Sequence, residues 1–256
     1  MMNMLETTIN YTIGITTFDL RFDQMKQLIN SIRAHNNSPI IITINGNIDG
    51  PCNEEYRKNS LEYFSNISKV YPIYFTELRG LAKMINSIFI HSNTEDLLIL
   101  NDDIIITDAA FFEDVNNAFK GLQNMCLLQN KWYGSFSHFL AKKSCIRELG
   151  YYDERFLGFG EEDGDITFRY IKKYNQSIPQ YGARGLNHTQ SEVRQNVKPG
   201  IGKYSWFNRN FAFSEKYKLG EGHISGMFGE PAIELLENMS QYPYETFFAE
   251  NKSKLV

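Results

Sequence analysis

Along the N-terminal part of the chain, short apolar runs rich in β-branched residues take turns with stretches whose apolar side chains recur at helical spacing. Residues 10–16 read as a strand, and Phe22, Met25, Leu28, Ile29 and Ile32 then fall on one helical face. Residues 39–44 form an unbroken apolar run, as a strand covered on both faces requires, and Asn45-Gly46 ends it. Asn53 is placed to cap a helix through Phe64, residues 71–75 suit another strand, and Leu81, Ile85, Ile88 and Phe89 make the next helical stripe. Residues 96–100 and 104–106 are apolar, with Asn101, Asp102 and Asp103 interrupting them. Further on, the pattern predicts a helix over 108–119, strands near 125–128 and 136–141, an irregular aromatic-rich stretch from Gly182, and a helix over about 231–239. Strands alternating with helices imply an α/β chain with a mostly parallel sheet, whose ligands gather beyond the carboxyl ends of the strands.

Composition narrows the function. The 256 residues fit one large α/β unit with a C-terminal extension. A net charge of −4 and the lack of any long lysine/arginine run give no field that would draw nucleic acid phosphates, so no nucleic acid partner is expected. The three cysteines, Cys52, Cys126 and Cys145, are odd in number and lack ligand spacing, which argues against a disulfide framework or a zinc site and fits a reducing compartment. The sequence shows no basic-then-apolar leader and no apolar run of about 18 residues, so a cytoplasmic chain without a transmembrane segment is expected.

Two acidic groups stand out. Asp102 and Asp103 follow a buried strand directly, where paired carboxylates repel and lose hydration unless a cation or a donor-rich partner offsets them. Oxygen ligands of this kind suit Mn²⁺ or Mg²⁺, which keep positions open for phosphate oxygens; a polar turn ending a strand is the plainer explanation. The denser group is Glu161, Glu162, Asp163 and Asp165, behind Gly158-Phe159-Gly160 and four residues before Arg169. A helix starting near Asp163 favours negative charge at its first turn and lets Asp165 pair with Arg169. That leaves Glu162 and Asp163 beside a glycine-rich loop, where one can serve as a general base toward a hydroxyl. A charged, solvated helix start is the plainer explanation of such an acid run taken in isolation. His188 lies in a polar loop downstream of both groups and is a candidate metal ligand.

Residues 150–165 with Arg169 closely resemble the catalytic segment of GT-A galactosyltransferases and related family 2 glycosyltransferases. Residues 13–21 look like the first strand and nucleotide-binding loop of those families, and residues 98–103 like their Asp-X-Asp metal motif. The resemblance spans about residues 11–188 and implies a GT-A type, Rossmann-like three-layer sandwich with a mostly parallel central sheet. It implies that Asp103 and His188 hold Mn²⁺ or Mg²⁺, and that Asp163, beside Glu162, is the base. Nucleotide-sugar contacts are implied for Thr16, Thr17, Phe18, Arg21, Asn45, Arg79, Lys83, Asn101 and Asp102. Two departures are visible: Asn101 stands where the motif usually has aspartate, and Asn45-Gly46-Asn47 where relatives often carry a base-reading aspartate.

The resemblance further implies a hexosyltransferase that moves a galactose or N-acetylhexosamine unit from a UDP-sugar to a hydroxyl of a glycan or lipid-linked saccharide, with inversion. Work of this kind belongs to polysaccharide biosynthesis at the inner face of a membrane, with peripheral association. Trp132, Tyr133 and Gly160 are expected at the acceptor, and Trp206 and Phe207 are further rings able to stack on sugars. Residues 1–215 are read as the catalytic domain, with a nucleotide-sugar half over about 1–107 and an acceptor half over about 108–215; residues 216–256 are read as a helical extension. The alternatives are a retaining GT-A transferase and a catalytically silent nucleotide-sugar or glycan-binding module.

Overall fold

The computed structural model describes residues 9–18, 21–46, 53–76, 79–129, 134–156, 158, 160–188, 208 and 211–217. The N-terminal alternation resolves into β1 (Tyr11–Phe18), α1 (Phe22–Arg33), β2 (Ile40–Asn45), α2 (Glu54–Ser65), β3 (Val70–Tyr74), α3 (Leu81–His91) and β4 (Asp96–Asn101). The chain continues through β5 (Ile104–Ile106), α4 (Ala110–Gly121), β6 (Met125–Gln129), β7 (Gly134–Lys142), α5 (Lys143–Glu148), α6 (Glu162–Tyr174), β8 (Gln180–Gly182) and β9 (Leu186–His188). A single π-helical segment, Phe211–Lys216, completes the described elements.

Seven strands make the main sheet in the order β3-β2-β1-β4-β7-β6-β8. β3, β2, β1 and β4 are parallel, β7 runs against both β4 and β6, and β8 is parallel to β6. β5 and β9 form a separate antiparallel ribbon. The alternation of side chains along the strands feeds two cores. Ile13, Ile15, Ile40, Ile42, Leu98 and Leu100 pack with α1, α2 and α4 on one face. Ile41, Leu97, Ile99, Phe139 and Ala141 pack with α3, α5 and α6 on the other. The outcome is the helix–sheet–helix sandwich that the resemblance implies.

Local signals act as expected. Met25, Leu28, Ile29 and Ile32 of α1 are fully buried. Asn53 caps α2, its side-chain oxygen accepting from the N–H groups of Glu55 and Tyr56. The sequence starts the fourth helix at Asp108; instead that side chain accepts from the Ala110 N–H at 2.8 Å, ahead of the first turn. Gly14 lets α3 settle on β1, since a Cβ there would stand 2.5 Å from Ile88 Cγ2. β8, β9, α5 and the π-helical segment have no counterpart in the sequence reading, and the helix over 231–239 lies outside the described residues. Among those residues, no helix is long and apolar enough to cross a membrane.

Candidate functional site

The sheet order reverses between β1 and β4: the chain runs outward from β1 to β3, then returns to place β4 on β1's other side. The crevice beyond the carboxyl ends of these two strands is the topological switch point, where α/β sheets bind ligands. Both strands end there on nominated residues. Thr16 Oγ1 donates to Asn101 Oδ1 at 3.0 Å, and Thr17 Oγ1 donates to Asp102 Oδ2 at 2.6 Å. Arg21 completes the group, 2.8 Å from Asp102 Oδ1 and with its guanidinium 5.3 Å from the centre of the Phe18 ring. Asp102 is only 4% exposed. Burial pushes its pKa up to about 7, against the pull of Arg21 and Thr17, and the neighbouring charge of Asp103 adds to the rise.

Asp103 is half-buried and lies in the turn between β4 and β5. The next residue, Ile104, is paired with His188 across the β5–β9 ribbon, so Asp103 stands one residue from the rung that carries His188. Nδ1 of His188 is buried and makes no hydrogen bond among the described residues. A carboxylate and an imidazole placed this close along the ribbon are side-chain types that suit a divalent cation. Among the described residues, no group of three or more His, Cys, Asp or Glu side chains is gathered to hold one. Such an ion would complete its coordination with phosphate oxygens and water, as Mg²⁺ and Mn²⁺ characteristically do. Beneath the ribbon lies His138 of β7, opposite Leu100 of β4, its ring centre 4.9 Å from that of His188. Burial lowers its pKa to about 4, with His188 adding to the fall, so this ring is neutral.

The second acidic group opens α6. Glu161 enters the helix with φ of 70°, a left-handed conformation that costs a residue with a Cβ on the order of 1 kcal/mol. The turn is tied on both sides: the Gly160 N–H donates to Glu162 Oε2, and the Gly160 carbonyl accepts from Asn208 Nδ2 at 2.9 Å. Glu162 is buried, and burial followed by the charge of Asp163 raises its pKa to about 8. Burial also raises Asp163, while the Gly164 N–H, donating to its Oδ1 at 2.8 Å, opposes the rise. The buried Tyr152 ring lies close enough to be influenced by both carboxylates. A carboxylate pair that resists ionising together is suited to accepting one proton near neutral pH.

Asp165 and Arg169 pair as the sequence predicts, through Nε and Nη2 of Arg169 at 2.9 and 2.6 Å, but in the core rather than on a solvated face. Arg169 also donates to the carbonyls of Leu149 and Tyr151. Lys216, from the π-helical segment, places Nζ 2.6 Å from both Asp153 and Asp165, and the Tyr217 hydroxyl donates to Asp165. Burial alone would raise Asp153; Lys216 and Arg155 hold it well below the usual carboxylate range.

Asn45 and Lys83 are both engaged within the fold. Asn45 grips Arg79 twice, accepting from its N–H and donating to its carbonyl at 2.7 Å each. Lys83 lies 3.5 Å from Glu154 and is buried against it. α3 is tied to the loop before α6: Asn86 brackets the Tyr152 backbone with two bonds of 2.9 Å, and the Leu81 N–H donates to the Gly158 carbonyl. Asn86, Asn208, His138 and Lys216 carry no motif, and each is identifiable only by its partner in the fold. Trp132, Tyr133, Trp206 and Phe207 lie outside the described residues.

Neither a family model nor a curated protein matches the chain by sequence. Solved structures do. GalNAc-T7 with UDP, GalNAc and Mn²⁺ matches with a TM-score of 0.60 at 11% identity, over 97% of this chain and 57% of that one. TarS of S. aureus matches at 0.54 and 11%, over 80% and 73%. Glucosyl-3-phosphoglycerate synthase from Mycobacterium tuberculosis, with Mn²⁺, UDP and glucosyl-3-phosphoglycerate, matches at 0.56 and 10%, over 80% and 79%. This chain therefore spans little more than half the length of GalNAc-T7. At these identities the likeness is one of fold: the chain has the GT-A fold.

Proposed function

We propose that the chain is a metal-dependent glycosyltransferase that moves a hexose unit from a UDP-sugar to a hydroxyl of a glycan or lipid-linked saccharide, with inversion. One observation carries the reading: the switch-point crevice has Asp102 fixed by Thr17 and Arg21, with Asp103 one residue from the rung that holds His188. Fold neighbours crystallised with UDP and Mn²⁺ add support.

Asp103 and His188 would hold the cation. Bound there, Mn²⁺ or Mg²⁺ would neutralise the diphosphate and so make UDP a leaving group. Thr16, Thr17, Phe18 and Arg21 line the strand ends against the nucleotide, and the Asn45 clamp holds the Arg79 segment beside them. Asp163 takes the proton from the acceptor hydroxyl as that oxygen attacks the anomeric carbon, and the glycosidic oxygen leaves with UDP from the opposite face. Glu162, protonated at neutral pH, leaves Asp163 to carry the pair's negative charge. Residues 1–215 form the catalytic domain in this reading, working in the cytoplasm at a membrane face.

The test is Asp163→Asn. Transfer is expected to fall about 10²–10⁴-fold, with UDP-sugar binding retained by calorimetry; unchanged turnover would remove Asp163 from the role of base. Product anomericity by NMR checks inversion, and a retained anomeric configuration would overturn it.

A further inference from the structure

His138 is 1% exposed, neither of its ring nitrogens makes a hydrogen bond among the described residues, and Nδ1 of His188 is in the same state 4.9 Å away between ring centres. Three sealed nitrogens gathered at one place call for an explanation, because buried polar atoms almost always find partners. We propose that His138 positions His188 as a cation ligand through a relay running from the Leu128 carbonyl to His138 and on to Nδ1 of His188, leaving Nε2 of His188 to ligate.

The polarity of the relay follows from donors and acceptors alone. β6 runs beside β7 with Leu127 opposite Phe139 and its register shifted between Leu127 and Gln129, which brings the Leu128 backbone alongside His138. A carbonyl only accepts, so the His138 nitrogen turned toward it must carry the hydrogen. The other nitrogen of a neutral imidazole then has a lone pair and accepts, which requires the hydrogen of His188 to be on Nδ1. Nε2 of His188 is left with its lone pair. The relay requires both rings to turn about χ2, a soft torsion for imidazole. A metal-ligating histidine characteristically donates its second N–H to a fixed acceptor, which sets tautomer and ring orientation; the acceptor here is the His138 ring. The fold supplies the geometry: β7 holds His138 opposite Leu100 at the end of β4, and the β5–β9 ribbon lays His188 over it.

The inference rests on the proposed cation site at Asp103 and His188, and its test separates the two. Nitrogen NMR of the imidazoles in the metal-free wild-type chain should show one tautomer of His188, with the hydrogen on Nδ1. In His138→Phe that hydrogen should divide between the two nitrogens. Calorimetry should show the Mn²⁺-dependent part of UDP binding weakened about 10–100-fold, with metal-independent UDP binding unchanged. His138→Gln, whose amide both donates and accepts, should restore most of the loss. A hydrogen on Nε2 of His188 in the wild type overturns the relay, and that measurement needs no variant to fold. So does a His138→Phe chain that matches the wild type in both readouts. If His188→Ala abolishes Mn²⁺-dependent binding while His138→Phe keeps it, only the relay fails; if His188→Ala keeps it too, the cation site fails and the relay with it.

Discussion

Burial, complete at Glu162 and partial at Asp163, sets the titration of the carboxylate pair that opens α6. A proton stays on Glu162 up to about pH 8 in the folded chain, against an ordinary 4.5. The folded state therefore binds more protons than the unfolded state across that window, so this group's contribution to stability falls as pH rises from about 4.5 to about 8 and is level above it. Glu162→Gln removes the titration. Its melting temperature should decline less than that of the wild type between pH 5 and pH 8 (about the span over which Glu162 titrates); parallel declines would show that Glu162 ionises normally. Asp102 illustrates the same point differently. Its position after a strand was visible, but its locking by Thr17 and Arg21 depends on three segments meeting at one strand end.

At the level of elements, α3 ties the carboxyl edge of the sheet to the loop before α6. Gly80 opens that helix, and a Cβ at this position would stand 2.5 Å from the Phe156 carbonyl oxygen. A backbone atom cannot swing aside as a side chain does. Gly80→Ala should therefore cost about 1–3 kcal/mol in chemical denaturation and lower transfer as well, because the displaced segment leads to Gly160 and Glu162. Asn53→Ala offers the contrast. Loss of the α2 cap should cost about 1 kcal/mol and leave transfer per folded molecule unchanged. Equal activities of the two variants would show that α3 does not hold the loop in its working position.

For the whole molecule, the decisive tie is Lys216, 3% exposed and 2.6 Å from both Asp153 and Asp165. Lys216→Met leaves Asp153 to Arg155 and Asp165 to Arg169 but removes the cation the two carboxylates share in the core, and should destabilise the fold by about 3 kcal/mol; a loss below 1 kcal/mol (roughly what an exposed pair is worth) would show the cluster to be solvated. Residues 216 and 217 thus belong to the packing around α6, although the sequence reading assigns them to an extension. By itself, the sequence determined the elements of the alternating region, because periodicity and caps such as Asn53 are local properties. It also determined the Asp165–Arg169 pair, which one helical turn fixes, and the GT-A fold through the segment around Glu162 and Asp163. Only the tertiary structure decided that β7 runs against its neighbours, that Asn86 and Asn208 hold the loops, that His138 lies under His188, and that Lys216 reaches two buried carboxylates. Those partners are distant in the chain, and a lone asparagine, histidine or lysine leaves no periodic or spacing signal from which such a meeting can be read.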